Sequence, residues 1–542
     1  FAWSDIQVHA KAARVFVSVT VRNTGNHPGK DVVQIYAAQP RTELPKADKL
    51  LVGFAKTGLL HPGEQETVTV SFPCASLASY DEKKSAWVLE RGEYGIYVGK
   101  SSRELQPEAA LVLERTVVTE QCRPLFRGEK ADQLFPKHSA GVSYFCPTIL
   151  IDSESIPSVT HTYTGTPTAL SAPTRRVSFS DVTSGKATAS ELAGQLTPEE
   201  LALLCIGAAR VSFTDFSVIG NASKSIPGAA GDTTDRLEGY GIPQCAMADG
   251  PAGIRVNPKV YQRDDTYINN VEEDPILGKV LPPELRKVDL SGTEIKYQYC
   301  TALPVAVQLA QSWNPKLAEL AGDIAGAEME ELGIDLWLAP GLNIQRNPLC
   351  GRNFEYYSED PYLSGIFAAA VTRGVQKHPG KGTCIKHLAA NNQETCRSTS
   401  NSHVSERALR EIYLRGFEIC VKDSRPFSAM TSMNLLNGVH TANDQDLLTH
   451  ALRDEWGFDG IVMTDWGTTG QFVSVGEDRK YGPSTPVGCI LAGNDLIMPG
   501  TKFDEDTLFA AIRDGSLPTA ALQDCGKRLI QLLVKCTSGR KG

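Results

Sequence analysis

The sequence predicts a multidomain α/β plus β protein, in which an immunoglobulin-like β-sandwich is followed by a TIM-type (β/α) barrel. Its 542 residues are too many for one hydrophobic core, so two or three domains are expected. Short alternating strands fill residues 1–118. In residues 191–542, apolar runs alternate with helical segments, which is typical of βα units and a parallel sheet.

The predicted sandwich consists of strand-like runs that recur at short intervals. Apolar and polar residues alternate within the runs, and Asn23-Thr24-Gly25 supplies a turn between the first two. The clearest runs are 15–21, 31–36, 66–72 and 92–99. Because nothing in this domain resembles a catalytic cluster, it is interpreted as a structural module.

Residues 119–190 are predicted to form a connector along the surface, because the pattern there dissolves into Ser, Thr and Pro. Regular structure is expected to resume at a helix after Thr197. Thr197 can cap that helix, Pro198 suits its first position, and Glu200 completes a capping box. The connector therefore separates two unlike domains.

The predicted barrel contains six clear apolar runs and amphipathic helices at 316–332 and 406–420. The runs are 244–248, 335–339, 383–385, 427–433, 460–463 and 495–498. A complete TIM-type barrel needs eight strands. Either this barrel is incomplete or two of its strands are hidden in the pattern.

Polar side chains follow several of these runs, at the point where each predicted strand ends. The carboxyl ends of barrel strands converge on one face, so residues 249, 352, 386, 387 and 465 are expected to meet in one pocket. Their side chains can form charge-assisted hydrogen bonds to neighbouring hydroxyl groups, which indicates a sugar ligand. The indoles of Trp337 and Trp466 are expected to offer flat faces to such a ring. Asp465, a strand-end carboxylate among cations, is the candidate nucleophile.

Composition and motifs exclude several other classes. A net charge of −9 without a long basic run argues against a nucleic-acid partner. Apolar runs are too short to cross a membrane. Metal-ligand spacings, phosphate-binding glycine loops and hydrolase motifs such as HExxH and GxSxG are missing, so neither a metal nor a cofactor is predicted.

Cysteine usage and the first residues predict the location. Thirteen scattered cysteines with no CxxC pair suggest reduced thiols. The chain begins at Phe1 with neither an initiator Met nor a signal peptide, so this start is interpreted as a cut in a longer protein. The expected location is cytoplasmic.

Five segments together resemble glycoside hydrolase family 3, namely 247–255, 351–361, 386–387, 462–466 and 492–500. Residues 1–118 are similar to that family's fibronectin type III-like module. The module precedes the barrel here, and this order resembles the family's permuted subgroup, in which an α/β sandwich domain comes first. Residues 226–231 are similar to that subgroup as well.

The resemblance implies a role for each matching residue. Asp465 matches the nucleophile, and the other matches bind sugar hydroxyls, support them or form the pocket wall. These other matches are Asp249, Arg352, Lys386 and His387 for the hydroxyls, Arg255 and Arg397 as supports, and Met430 and Trp466 as walls. Met433 departs from the pattern, because many relatives have Tyr there. Glu355 and Asp360 are assigned to loop and helix capping, and His403 to structure.

The implied activity is that of a retaining β-glycosidase, most nearly a β-glucosidase that removes terminal β-D-glucosyl residues from small β-glucosides or oligosaccharides by double displacement. Such an enzyme needs a second carboxyl group as acid/base. The family takes this Glu from the α/β sandwich domain, which these residues do not contain. The acid/base is therefore expected from a domain or segment outside this chain, and a homo-oligomer is considered.

Three alternatives stay open. A β-xylosidase or another exo-β-glycosidase of the same family would use the same pocket. The family's N-acetylglucosaminidases carry a KHFPGHG-type motif, which residues 386–392 replace with a different sequence. A non-catalytic carbohydrate-binding relic belongs to another class, and the intact Asp465 argues against it.

Overall fold

The computed structural model describes the whole chain apart from residues 43, 45, 127, 129–145, 209–222, 224, 265, 269, 271, 273–281, 284–286, 470–480 and 540–542. Part of the predicted connector thus lies outside the described residues. Among the described residues, none of the helices combines the length and apolar composition that crossing a membrane requires.

The N-terminal region is a β-sandwich, as predicted. Its strands are β1 Ala2–Lys11, β2 Arg14–Arg22, β3 Val32–Ala38, β4 Leu50–Lys56, β5 Gln65–Pro73, β6 Ser79–Asp81, β7 Ala86–Leu89, β8 Gly92–Gly99, β9 Leu105–Leu113, β10 Val117–Gln121, β11 Thr148–Leu150 and β12 Val159–Thr160. They pair in the orders β1-β2-β5, β11-β9-β8-β3-β4 and β12-β10-β7-β6. Alternation in β2 has its expected consequence, because Val15, Val17, Val19 and Val21 are all fully buried in the sandwich core.

The connector contributes strands to this sandwich. β11 pairs with β9, and β12 pairs with β10, both in parallel. The four strand runs predicted for the sandwich coincide with β2, β3, β5 and β8. The boundaries at residues 118 and 190 remain predictions.

The C-terminal region is an α/β domain with a barrel-like arrangement of strands. Its strands are β13 Gly231–Asp232, β14 Ala246–Ala248, β15 Lys259–Arg263, β16 Thr266–Ile268, β17 Glu294–Tyr297, β18 Leu336–Trp337, β19 Gly382–Leu388, β20 Asn401–Ser402, β21 Ser428–Thr431, β22 Leu435–Leu436, β23 Val439–His440 and β24 Ile461–Met463. Its helices, with those that precede it, are α1 Phe179–Thr183, α2 Ala189–Gln195, α3 Pro198–Leu204, α4 Ala306–Gln311, α5 Pro315–Leu332, α6 Pro361–Val375, α7 Glu406–Ala408, α8 Arg415–Ser424, α9 Pro486–Ala492, α10 Lys502–Asp514 and α11 Thr519–Thr537. Two π-helical segments, Leu409–Tyr413 and Asp446–Glu455, also belong to this domain.

Two predicted helix starts are confirmed in detail. The Thr197 side chain accepts a hydrogen bond from the Glu200 backbone N–H. The Glu200 side chain in turn accepts a hydrogen bond from the Thr197 backbone N–H, which completes the capping box of α3. Asp360 caps α6, where its Oδ1 accepts from the Leu363 N–H at 2.8 Å. In both helices a proline occupies the first turn.

The central sheet has the strand order β13-β14-β18-β19-β21-β24. β13 runs antiparallel to β14, and the other neighbours are parallel. Five of the predicted runs coincide with β14, β18, β19, β21 and β24, and the sixth, 495–498, pairs with β24 through a parallel bridge between Met463 and Leu496. The parallel sheet predicted from the alternating pattern is therefore present, with one antiparallel strand at its start.

Two short segments that the sequence pattern did not reveal, residues 206–208 and β13, continue the sheet around the domain. Ile206 forms a parallel bridge with Ile497, and the Gly207 N–H donates to the Ile497 carbonyl at 3.0 Å. On its other side, the Ala208 N–H donates to the carbonyl of Asp232, in β13, at 2.9 Å. The backbone hydrogen bonds thus pass from the last strand to the first, and the arrangement is barrel-like.

A buried polar cluster joins the sandwich, the connector and the barrel-like domain. Arg410 donates to Glu406 at 2.9 Å and to Glu455 at 2.6 Å. Tyr80, in β6, donates to Glu406 at 3.0 Å, and Tyr163, in the connector, donates to Glu455 at 2.7 Å. Since breaking a buried pair costs about 3–5 kcal/mol, this cluster fixes how the units meet.

Candidate active site

A pocket of about 450 Å³ lies at the carboxyl ends of β14, β19, β21 and β24. All nine predicted site residues line it, namely Asp249, Arg255, Arg352, Lys386, His387, Arg397, Met430, Asp465 and Trp466. The first and the last of them are more than 200 residues apart in the sequence. The shared end of the sheet brings them together, as expected for the strand ends of a barrel. Their individual roles stay predictions.

Asp249, just after β14, is held by two cations. The buried Lys386 Nζ donates to its Oδ1 at 2.6 Å, and Arg255 Nη2 donates to its Oδ2 at 2.7 Å. Burial acts to raise the pKa of Asp249, but Lys386 and Arg255 outweigh it and lower that pKa to about 2. Asp249 is therefore a carboxylate at neutral pH, with lone pairs left to accept hydrogen bonds from a ligand.

Asp465 lies two residues after the end of β24, with its side chain on the pocket surface. Its Oδ1 accepts a hydrogen bond from the Trp466 backbone N–H at 2.7 Å. Its Oδ2 lies 3.9 Å from His387 Nε2. One oxygen is thus fixed by the backbone, while the other faces a ring nitrogen across the pocket.

His387 is buried and uncharged. Burial lowers the pKa of its imidazole well below the usual value, and the nearby charges of Arg352 and Lys386 act in the same direction. Asn343 fixes its backbone, because the His387 N–H donates to Asn343 Oδ1 at 2.9 Å and Asn343 Nδ2 donates to the His387 carbonyl at 2.8 Å. The Tyr356 hydroxyl lies 3.3 Å from its Nδ1. A neutral, oriented imidazole can donate or accept one hydrogen bond in the pocket.

Arg352 forms an ion pair with Glu355. Burial acts against its charged form, but Tyr356 and Glu355 together raise the pKa of Arg352 above its ordinary value. The assignment of Glu355 to loop capping is wrong, because Glu355 is buried and lines the pocket as the partner of this arginine. The spacing of three residues from Arg352, within the 351–361 motif, was the signal available in the sequence.

Arg397 is held in the same way, by Glu394. Its Nη1 donates to Glu394 Oε2 at 3.1 Å, and Asn391 Nδ2 donates to Glu394 Oε1 at 3.1 Å. Asn391 also donates to the Tyr356 hydroxyl at 3.3 Å, so these side chains form a chain that ends at His387. Each pocket arginine therefore has a carboxylate that orients it.

The apolar part of the pocket contains Met430, Trp466 and Phe354. The Trp466 indole N–H donates to the Ala230 carbonyl at 3.0 Å, which fixes the plane of the ring. Phe354 is half exposed at the pocket and was not among the predicted residues. A fixed aromatic surface beside polar groups suits the C–H face of a sugar ring.

Three other side chains that the sequence singled out do not line the pocket. The prediction that Trp337 offers a face to a sugar is wrong, because its side chain is fully buried and its indole N–H donates to the Gly250 carbonyl at 3.0 Å. Met433 is buried and does not line the pocket. Its effect on sugar preference stays a prediction. His403 is exposed, and its Nε2 lies 3.1 Å from Asn401 Nδ2.

Within the part of the chain that the structure describes, no group of three or more His, Cys, Asp or Glu side chains is arranged to hold a metal ion. All thirteen cysteines are free thiols. The chemistry available here is that of carboxylates, cations and a neutral imidazole.

Fold and pocket together define a class: a protein with a barrel-like α/β domain whose pocket, lined by carboxylates and cations, lies at the strand ends. The chain belongs to glycoside hydrolase family 3. The model described as the glycosyl hydrolase family 3 N-terminal domain matches residues 279–532, and the fibronectin type III-like domain matches residues 31–102. The predicted family and the sandwich module are thereby confirmed.

Similar proteins share this family and cover nearly the whole chain. Beta-glucosidase A of Butyrivibrio fibrisolvens is 35% identical over 527 residues, which are 92% of this chain and 55% of that protein. A beta-glucosidase of Ruminococcus albus is 34% identical over 538 residues, 96% of this chain and 50% of that protein. The chain therefore spans about half the length of these curated relatives.

Solved structures agree with the fold. The structure of a beta-glucosidase from Paenibacillus barengoltzii has a TM-score of 0.79 at 33% identity, over 100% of this chain and 56% of that one. Beta-glucosidase 3B from Thermotoga neapolitana, in complex with glucose, has a TM-score of 0.52 at 40% identity, over 65% of this chain and 43% of that one.

Proposed function

We propose that this chain carries the nucleophile-bearing part of a retaining β-glucosidase, with Asp465 as the nucleophile. The observation that carries the proposal is the pocket geometry: an open carboxylate at a strand end, with Arg352, Lys386 and the neutral His387 around it. The names of the similar proteins support glucose as the sugar. The substrate is a small β-glucoside or an oligosaccharide with a terminal β-glucosyl residue.

The proposed reaction has two steps. Asp465 attacks the anomeric carbon, the bond to the leaving-group oxygen breaks, and a glycosyl ester forms; water then hydrolyses that ester. Asp249 and Lys386 bind neighbouring sugar hydroxyls, because their paired charges offer one acceptor and one donor side by side. Arg352 and His387 bind further hydroxyls, Arg255 and Arg397 support this set, and Trp466 with Met430 packs against the ring.

The acid/base is assigned to residues outside this chain. In the described pocket, the other two carboxylates are Asp249 and Glu355, each paired with a cation. A general acid must be protonated when the leaving group departs, and ion pairing opposes this. The second carboxyl therefore belongs to the part of the relatives that this chain does not cover, in agreement with a separate α/β sandwich domain or segment.

The remaining predictions form part of the same proposal. The barrel-like domain, 191–542, is a TIM-type barrel, which the hydrogen bonds of Ile206 to Ala208 support. The sandwich, 1–118, is a structural module joined to it by a connector, 119–190. Free thiols support a reducing, cytoplasmic location. A homo-oligomer stays a prediction.

Sugar specificity has one further candidate. Exo-alpha-(1->6)-L-arabinopyranosidase of Bifidobacterium longum is 40% identical over 299 residues, 55% of this chain and 34% of that protein. A pentopyranoside bound in this pocket would meet the same Asp465 and Asp249. Comparing glucosides, xylosides and arabinosides on one preparation decides between them.

Covalent labelling tests the nucleophile. A dinitrophenyl 2-deoxy-2-fluoro-β-glucoside needs little protonation to lose its leaving group, and its fluorine slows hydrolysis of the ester. We expect one added fluoroglucosyl mass per chain, located on Asp465 by peptide mapping. Asp465→Asn should gain no mass. A label on a different carboxylate would overturn the assignment.

Removal of the Asp249 carboxylate should reduce activity strongly. In Asp249→Ala, a charge-assisted hydrogen bond to a sugar hydroxyl is lost and Lys386 is left buried without its partner. We expect kcat/KM to fall by about 30- to 1000-fold, equivalent to roughly 2–4 kcal/mol. Steady-state kinetics on an aryl glucoside measures this, and a loss confined to KM would indicate uniform binding instead.

Two controls accompany Asp249→Ala. Asp249→Asn keeps the size and removes the charge, which separates packing from electrostatics. Asp289→Ala removes an exposed partner of Arg263, 3.3 Å away, and should leave activity within threefold of the wild type. Wild-type activity in Asp249→Ala would place Asp249 outside the sugar site.

A further inference from the structure

A three-stranded ribbon, made of β15, β16 and β17, is connected at both ends to the wall of the pocket. The chain enters β15 four residues after Arg255, and it returns at Thr301 to meet the pocket loop again. The Leu303 N–H donates to the Ala252 carbonyl at 2.9 Å. A Cβ on Gly253 would lie 2.2 Å from the Thr301 carbonyl oxygen, so the two segments touch backbone to backbone. Because Ala252 and Gly253 line the pocket, the base of the ribbon is part of its rim.

The strand nearest this return, β17, is exposed along its whole length. Tyr297 and Tyr299, which end the ribbon, are 61% and 75% exposed. Their rings are nearly parallel, with centroids 6.1 Å apart and 10° between the planes. Within the described residues, neither phenol hydroxyl makes a hydrogen bond. Since such exposure contributes little burial to folding, the pair is available for a ligand.

The pair lies close to the sugar pocket. Tyr299 is two residues before Thr301, so their Cα atoms are at most about 8 Å apart at 3.8 Å per residue. Thr301 itself touches the pocket loop at Gly253. A ligand that fills the pocket and continues outwards on this side therefore reaches the tyrosines within one or two sugar rings.

We propose that Tyr297 and Tyr299 form a stacking subsite for the leaving-group part of an oligosaccharide. Tyrosine rings are rigid apolar surfaces, which suit the C–H faces of pyranose rings, and their hydroxyls can bond to sugar hydroxyls. This inference rests on the proposed glucosidase function and deepens it. It assigns chain-length preference to a ribbon that lies apart from the reacting atoms.

The same ribbon offers a matched control. Tyr267, in β16, is 41% exposed and pairs with Gln262, whereas Tyr297 pairs with Lys259. Directly paired residues share a face, and Lys259 and Gln262 are three positions apart, so Tyr267 lies on the opposite face of the ribbon. Substitution of Tyr267 tests the loss of an exposed tyrosine without the stacked pair.

The experiment measures binding by calorimetry in Asp465→Asn, which prevents turnover. Glucose, cellotetraose and an aryl glucoside are each titrated into three proteins. These are Asp465→Asn alone, Asp465→Asn combined with Tyr297→Ala and Tyr299→Ala, and Asp465→Asn combined with Tyr267→Ala. We expect the double substitution to weaken cellotetraose binding about 5- to 100-fold, with glucose binding unchanged. Tyr267→Ala should change neither, and thermal melting of each variant checks the fold.

Unchanged cellotetraose binding in the double variant would overturn the subsite. Equal weakening for glucose and cellotetraose would also overturn it, because the tyrosines would then only maintain the pocket. Selective weakening for an aryl glucoside, but not for cellotetraose, would reject the sugar assignment. A change of oligomeric size alone, seen by light scattering, would identify a protein contact instead. Covalent labelling of Asp465 does not involve the ribbon, so failure of the proposed function is recognised separately.

Discussion

Asp465→Ala is expected to lower kcat/KM on dinitrophenyl β-glucoside by at least about 10⁴-fold, or roughly 5.5 kcal/mol of transition-state stabilisation. Without the carboxylate no glycosyl ester can form, and the remaining cations of the pocket only bind the sugar. Replacing the side chain with a methyl group also leaves room beside the anomeric carbon. Small anions can occupy that room.

Azide provides the diagnostic for this prediction. In Asp465→Ala, azide should attack from the side that the carboxylate occupied and yield an α-glucosyl azide, because a single displacement inverts the anomeric configuration. Product analysis by NMR reads the configuration directly. Asp459→Ala is the matched control, since Asp459 is an exposed aspartate close before β24 that contacts Lys535 at 3.2 Å. It should retain wild-type activity, and a β-azide or surviving hydrolysis in Asp465→Ala would contradict the role of Asp465.

The strands of the barrel-like domain could be predicted because each is marked by a distinct local pattern in the sequence. A buried parallel strand is a short apolar run, and a polar residue after it marks the end of the strand. Asp249, Lys386 and Asp465 were placed on one face by this rule alone. The particular pairing of Lys386 with Asp249 was beyond it, because contacts across 137 residues depend on the final geometry.

The features that escaped prediction have weak local signals. The segment from Cys205 to Ala208 and β13 are too short to show periodicity, although their hydrogen bonds continue the sheet. Glu355 resembles an ordinary loop acid until Arg352 is seen beside it. The run 335–339 marks a strand correctly, but it cannot tell whether the Trp337 ring points to the pocket or to the core.

The largest discrimination expected of this chain concerns the leaving group. Alkoxides depart slowly from sugars unless an acid protonates them, and a positioned acid contributes typically about 10²- to 10⁴-fold. The described pocket offers Asp249, whose pKa is about 2, and Glu355, which is paired with Arg352. Asp249 is therefore ionised at neutral pH, and Glu355 is engaged in its ion pair with Arg352. A dinitrophenolate leaving group departs without being protonated.

For these 542 residues alone, kcat/KM should therefore favour dinitrophenyl glucoside over cellobiose by about 10²- to 10⁴-fold beyond the ratio in a full-length relative assayed in parallel. The same acid/base activates water for hydrolysis of the ester, so azide should accelerate turnover of the dinitrophenyl substrate by replacing that water. Azide should not accelerate cellobiose turnover, because departure of the leaving group in the first step remains the slow step for that substrate. Adding the separately expressed remainder of a full-length relative is the complementary measurement, and it should restore cellobiose hydrolysis if the parts associate.

Comparable efficiency on the two substrates would contradict this expectation and would mean that an acid lies within the chain. Glu394 would then be the first residue to test, because it holds the pocket arginine Arg397 at 3.1 Å and movement of that arginine would free it. His403 would be second, since it is exposed and lies outside the pocket wall. A Glu394→Gln variant that loses cellobiose hydrolysis but keeps dinitrophenyl glucoside hydrolysis would identify Glu394 as that acid, because only the substrate that needs a proton would be affected.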